Sequence, residues 1–182
     1  QDGFANIFNG HFTGNDNYQY SYDNGQTWGP VSGIAASYAF KLYGGSVTVY
    51  NGTFSGTGSS AFVTGFDAKA TANIYGGTFA VTGQSGFSVY QNVDLTFTPS
   101  GGENGSGSDI SVSAMSAGIA IENTTDANVS VIINGGSFKA TETDGGARDG
   151  IWYSNPNAQL TITDGTFTGN SRSGLYFAVV PN

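Results

Sequence analysis

The sequence predicts an all-β fold in which residues 1–182 form a single domain wound as a parallel β-helix. Three observations carry that expectation. A strand motif ending in phenylalanine recurs along the chain, a second strand motif recurs between its copies, and Gly-containing turns separate the two. Composition agrees. Of 182 residues, 29 are Gly, 13 Phe and 10 Tyr, and only 10% are charged. The aromatic side chains supply burial that offsets chain entropy. Glycine beside β-branched and aromatic residues reads as short strands joined by tight turns. No amphipathic stretch of helical period exceeds about two turns.

The first motif reads ANIFNGHF (Ala5 to Phe12), VTVYNGTF (Val47 to Phe54), ANIYGGTF (Ala72 to Phe79), VIINGGSF (Val131 to Phe138) and LTITDGTF (Leu160 to Phe167). A weaker sixth, VDLTF (Val93 to Phe97), falls where another copy is needed. Each full copy alternates apolar residues, turns at glycine, then closes on Thr, Ser or His and a Phe. The second motif is a small residue followed by alternating apolar ones, centred on Phe62, Phe87, Ile119, Ile151 and Leu175, with Phe40 as a further member. From Phe62 to Leu175 the spacings are 25, 32, 32 and 24 residues. A period of this length with two or three short strands in each is the signature of a solenoid. Leucine-rich repeats are excluded, because their leucine and asparagine framework is absent. In a parallel β-helix each strand lies about 4.8 Å from its equivalent in the next coil. Phe12, Phe54, Phe79, Phe138 and Phe167 are then expected to form an interior ladder, with glycines at the corners.

Two insertions interrupt the repeat. Residues 14–33 contain Ser21-Tyr22-Asp23-Asn24-Gly25-Gln26-Thr27-Trp28, which resembles the Asp-box motif and implies a β-hairpin. Asp23-Asn24-Gly25 is a hairpin turn signal by itself. Residues 99–109, PSGGENGSGSD, read as a flexible surface loop.

The rows Asn-Ile-Tyr-Gly-Gly-Thr-Phe (73–79) and Asp-Gly-Thr-Phe-Thr-Gly-Asn (164–170) resemble the degenerate repeats of extracellular right-handed parallel β-helix proteins with a pectate-lyase-like fold. Such repeats occur in bacterial surface proteins and adhesins, and in algal surface and mastigoneme-like proteins. The resemblance covers most of the chain. It implies a right-handed solenoid of about six coils with a β-hairpin insertion near the N-terminus, in a non-enzymatic member placed outside the cell or at its surface. A first residue of Gln rather than Met fits a mature end or a fragment of a longer protein.

Enzymes on this fold would need clustered carboxylates. The richest acidic patch, Glu142, Asp144 and Asp149 beside Arg148, offers a weak Ca²⁺ site; solvated turn residues are the plainer reading. Asp109, Glu122 and Asp126 lie one coil earlier. The hydrolase motifs Asn-Thr-Asp, Gly-His-Gly and Arg-Ile-Lys do not occur, and His11, the single histidine, stands in a corner position. The expectation is a noncatalytic protein without cofactor. A net charge of −8 with five scattered Lys and Arg gives no footprint for nucleic acid, and no apolar run approaches a membrane span.

Exposed aromatics are the more promising feature. Alternation points Phe8, Tyr50 and Tyr75 outward on three coils, pairs Trp152 with Tyr176, and leaves Tyr20, Tyr22 and Trp28 in the hairpin insertion. These residues are candidates for a protein interface or for stacking on sugar. Asn51, Asn104, Asn123 and Asn128 head glycosylation sequons. The chain enters and leaves directly in repeat sequence, without a capping helix. The expected partners are therefore a second copy stacked head to tail or the coils of a larger parent chain, with glycans as a further candidate.

Overall fold

The computed structural model describes residues 3–14, 19–20, 29–30, 38–64, 68–99, 109–122, 128–142 and 148–179. These residues are all-β, without a helix. In chain order the strands are β1 (Phe4–Ile7), β2 (His11–Gly14), β3 (Gln19–Tyr20), β4 (Gly29–Pro30), β5 (Tyr38–Leu42), β6 (Gly45–Val49), β7 (Thr53–Gly56), β8 (Ser60–Thr64) and β9 (Ala70–Ile74). They continue with β10 (Gly77–Val81), β11 (Ser85–Val89), β12 (Val93–Phe97), β13 (Ile110–Ala114), β14 (Ala117–Ile121), β15 (Val129–Ala140), β16 (Asp149–Tyr153), β17 (Gln159–Thr168) and β18 (Leu175–Phe177).

Apart from β3 and β4, every strand pairs in parallel, and the pairs form three ladders. One ladder runs β1-β6-β9-β12 and on to the first halves of β15 and β17. A second runs β2-β7-β10-β13 and on to the second halves of the same two strands. The long strands β15 and β17 thus join both ladders into one sheet that curls back on itself. The third ladder is a separate sheet, β5-β8-β11-β14-β16-β18. Parallel neighbours need a long connection between them, and here the chain visits the other ladders before it returns.

Side chains decide this arrangement. In the first ladder Val47, Ala72, Leu95, Val131 and Leu160 share one column, and Val49, Ile74, Phe97, Ile133 and Ile162 share the next. The third ladder aligns Phe40, Phe62, Phe87, Ile119, Ile151 and Leu175, the centres of the second sequence motif. Intervening residues face away, giving the buried-to-intermediate alternation of β9 and β12.

The phenylalanine ladder differs from expectation at one rung. Phe12, Phe54 and Phe79 stack in register at 4.8 and 4.6 Å, and Phe138 stacks on Phe167 at 5.4 Å. Between the two groups stands Val112, aligned with both Phe79 and Phe138. Phe97 is not a rung. Its strand is equivalent to Ala70–Ile74, so Phe97 falls in the Ile74 column of the first ladder. The 99–109 insertion separates β12 from β13 and displaces the true equivalent of Phe79 to Val112. Phe97 nevertheless fills the gap from the side, edge-on to Phe87 at 4.9 Å and to Phe138 at 5.1 Å.

Glycine is required at the corners. Gly77 has φ of 121°, and a Cβ there would lie 2.9 Å from the carbonyl oxygen of Gly52 in the preceding corner. Gly118 explains the small residue of the second motif: a Cβ would come within 2.9 Å of Phe138 Cβ, where the second and third ladders meet. Where the residue before the corner glycine is Asn or Asp, its side-chain oxygen accepts the glycine N–H. Asn9, Asn51 and Asp164 all do so, at 2.8 to 2.9 Å.

In the 14–33 insertion, β3 and β4 pair antiparallel, Tyr20 opposite Gly29. The Asp-box residues 21–28, with Tyr22 and Trp28, lie outside the described residues, as do 100–108 of the second insertion.

Candidate functional site

Two surfaces merit attention. The first lies at the corner after the first ladder. Backbone bonds from Tyr50 to Ile7 and from Tyr75 to Val49 place Phe8, Tyr50 and Tyr75 in one column. Their rings stack face to face, Phe8 on Tyr50 at 4.8 Å and 3°, Tyr50 on Tyr75 at 5.5 Å and 17°. The column continues in polar form. Asn134 Nδ2 donates to Thr98 Oγ1 at 3.2 Å, and Thr163 Oγ1 bonds to Asn134 Oδ1 at 2.8 Å. The stacked rings cover one another's faces and present edges. One ring end stays open, at Phe8, which is 56% exposed.

The second surface is a cleft of about 330 Å³ along the third ladder. Its lining comes from the turn residues Gln84 and Ser116, the strand-initial Ser85, Ala117 and Asp149, and from Glu122, Arg148, Trp152 and Arg172. Trp152 is half-buried and in register with Tyr176. Small residues at Ser85 and Ala117, in the column that ends at Asp149, leave the space.

Asp149 is 2% exposed and fully engaged. Arg172 grips it with two bonds, Nε at 3.1 Å and an Nη at 2.7 Å, and the Ser173 N–H adds a third at 3.2 Å. The Arg172 guanidinium also lies 3.4 Å over the Tyr176 ring. Arg148 pairs with Glu142. Both arginines of the cleft therefore bring their own counter-charges. Glu122 does not: it has no ion-pair partner among the described residues. Burial pushes its carboxyl above the ordinary carboxylate range. Its neighbour in the preceding strand connection, Tyr90, is raised by burial first, then by the charges of Glu122 and Tyr38.

The other sequence candidates scatter. Of the calcium candidates, Glu142 and Asp149 are held by different arginines and Asp144 lies outside the described residues. No cluster of three or more potential metal ligands occurs among the described residues. Of the sequons, Asn51 is half-buried with its Oδ1 accepting the Gly52 N–H, Asn128 is exposed, and Asn104 and Asn123 lie outside the described residues. Among the described residues no helix is long and apolar enough to cross a membrane.

Sequence reasoning grouped Glu122 loosely with Arg148 and Asp149 but missed Gln84 and Arg172. A signal for Arg172 existed. Ile151 and Leu175 are equivalent positions 24 residues apart, and Asp149 and Arg172 lie just before each. Compared with family models, curated proteins and solved structures, the chain has no match.

Proposed function

We propose that the chain is a noncatalytic structural module of an extracellular filament or surface appendage. In this reading it winds as a right-handed parallel β-helix of about six coils, each adding one strand to each ladder. Its ends stack on further coils, those of a second copy or of a larger parent chain. The observation that carries the reading is where large apolar side chains are exposed. Of five among the described residues, Phe4 and Phe8 belong to the first turn and Leu175 and Phe177 to the last; only Tyr43 lies elsewhere.

The inward columns give such a contact its register. Ile7 and Ile162, Phe12 and Phe167, and Phe40 and Leu175 occupy equivalent positions at opposite ends, so one end can continue the other. Burying a large apolar side chain stabilises by about 1.5–3 kcal/mol. Four at one junction supply at most roughly 6–12 kcal/mol. Association costs about 4–15 kcal/mol, so apolar burial alone gives a weak joint. Pairing of the open strand edges supplies the remainder. A head-to-tail contact of this type does not close, and it propagates into a filament.

The stacked Phe8-Tyr50-Tyr75 column supports the same reading over an adhesin that stacks sugars on it. A sugar needs an open ring face; the open face here, at Phe8, points along the stack toward the next coil.

Sedimentation velocity and negative-stain microscopy across a concentration series test the proposal. We expect linear assemblies of uniform width, shortened by Phe8→Asp and by Phe177→Asp. Dispersed monomers at the highest concentration would overturn it.

A further inference from the structure

We propose that the cleft between Glu122 and Trp152 is a binding site for an amino sugar, a pyranose ring carrying a protonated primary amine. The inference is independent of the assembly reading, because the cleft lies along the side of the third ladder and takes only Arg172 from the last turn.

Four features of the cleft define the ligand. Its volume of about 330 Å³ is at the lower end of the range of small-molecule sites, roughly 300–1,000 Å³, enough for a single ring. Its charge selects a cation. Arg172 is neutralised by Asp149 and Arg148 by Glu142, which leaves the Glu122 carboxylate as the one lining charge without an ion-pair partner among the described residues. An anionic ligand would face that carboxylate, while Glu142 and Asp149 already neutralise both guanidinium groups. An ammonium group would instead supply the counter-charge that Glu122 lacks, where partial desolvation strengthens the attraction. Trp152 lines the cleft, and an indole suits the C–H face of a pyranose and also favours a cation. Finally, the Gln84 amide and the Ser85 and Ser116 hydroxyls line the same space. They offer donors and acceptors to a ring bearing several hydroxyls, which a bare lysine stem would leave unused.

The arrangement is rigid where it matters. Asp149 is fixed by three hydrogen bonds, so Arg172 cannot swing across to Glu122 without abandoning a buried carboxylate. Glu122 follows β14 directly, and its backbone N–H is bonded to the Val89 carbonyl at 2.9 Å.

The test is a titration of the ¹⁵N-labelled chain, following the Trp152 indole resonance, identified by its loss in Trp152→Phe. The probes are glucosamine, glucose and N-acetyl-lysine amide. Glucosamine should give a saturable shift at least tenfold tighter than either of the others. Added sodium chloride should weaken glucosamine and leave glucose unchanged, a measurement that needs no variant. Glu122→Gln should weaken glucosamine at least tenfold while the rest of the spectrum superposes. Equal affinity for glucose would make the carboxylate irrelevant, and equal affinity for the lysine derivative would make the ring irrelevant. Either result, or the absence of a saturable shift, overturns the proposal.

Discussion

The middle of the molecule and its two ends are built from the same residues in the same columns, yet they differ in burial. Phe79 and Phe138 are wholly buried, while Phe12 and Phe167, equivalent by register, are half-buried. The contacts themselves are similar: Phe12 lies 4.8 Å from Phe54, and Phe79 lies 4.6 Å from it. The backbone follows the same rule. Strand β9 alternates buried with intermediate, whereas β1 is exposed at three of four positions and β17 at most of its length. Among the described residues, what an end residue lacks is a ladder neighbour on its second side. Where each strand contacts its neighbours in the ladder, stability is close to a sum over adjacent pairs, and the outermost strands carry half of the usual terms.

That contrast can be broken by mutation. Phe79→Ala leaves a cavity with walls on both sides and should cost about 3–5 kcal/mol, read as a fall in the urea midpoint. Asp149→Ala should come next, at roughly 2–3 kcal/mol, because it removes the buried acceptor of three hydrogen bonds from Arg172 and Ser173. Its effect should be local. Hydrogen exchange should accelerate in β18, which Arg172 and Ser173 tie to β16, while β9 to β11 remain protected. Phe12→Ala should cost only about 1–2 kcal/mol, since half of its surface is already in water. A Phe12→Ala cost equal to that of Phe79→Ala would mean that the first turn is covered in solution, and the contrast would vanish. Asn51→Ala removes one turn hydrogen bond, to Gly52, and should cost about 0.5–1 kcal/mol.

The sequence reveals the ladders more clearly than it reveals the cleft. Alternation and the recurring Gly-Thr-Phe ending identify the columns, because inward positions must be apolar and corner positions must be glycine. The third ladder emerges from a small residue followed by alternating apolar ones, recurring from Phe40 through Leu175. The reading of Phe97 misleads for a physical reason. A Phe after alternating apolar residues looks like the end of a motif, but an insertion of 11 residues, 99–109, had moved the corner beyond it. The cleft is harder to foresee. Its members are separated by one to three turns, and which of the carboxylates near it keeps a net charge depends on side-chain pairing, not on position. Glu142 and Asp149 looked like the acidic centre; pairing removes both and leaves Glu122.

Glu122 also distinguishes this middle region from the ends by its response to pH. Burial holds its folded-state pKa above the ordinary glutamate value of 4.5. Well below pH 4.5 the group is protonated in folded and unfolded chains alike and contributes nothing. As pH rises through the interval up to the folded pKa, the unfolded chain ionises first, so the folded chain holds more protons and stability falls. Above that pKa the penalty is complete and constant. Charged groups stand nearby, Arg148, Asp149 and Arg172 in the cleft, with Tyr90 in the adjoining column, so the informative quantity is a difference between variants. Glu122→Gln removes this carboxylate and keeps its shape. The variant should match the parent in urea midpoint at pH 4 and exceed it at pH 7, the smallest of these effects because the side chain is only partly buried. A gap of the same size at both pH values, or a parent more stable at pH 7, would mean that the carboxylate is well solvated or paired, and the cleft would lose the charge that sets it apart.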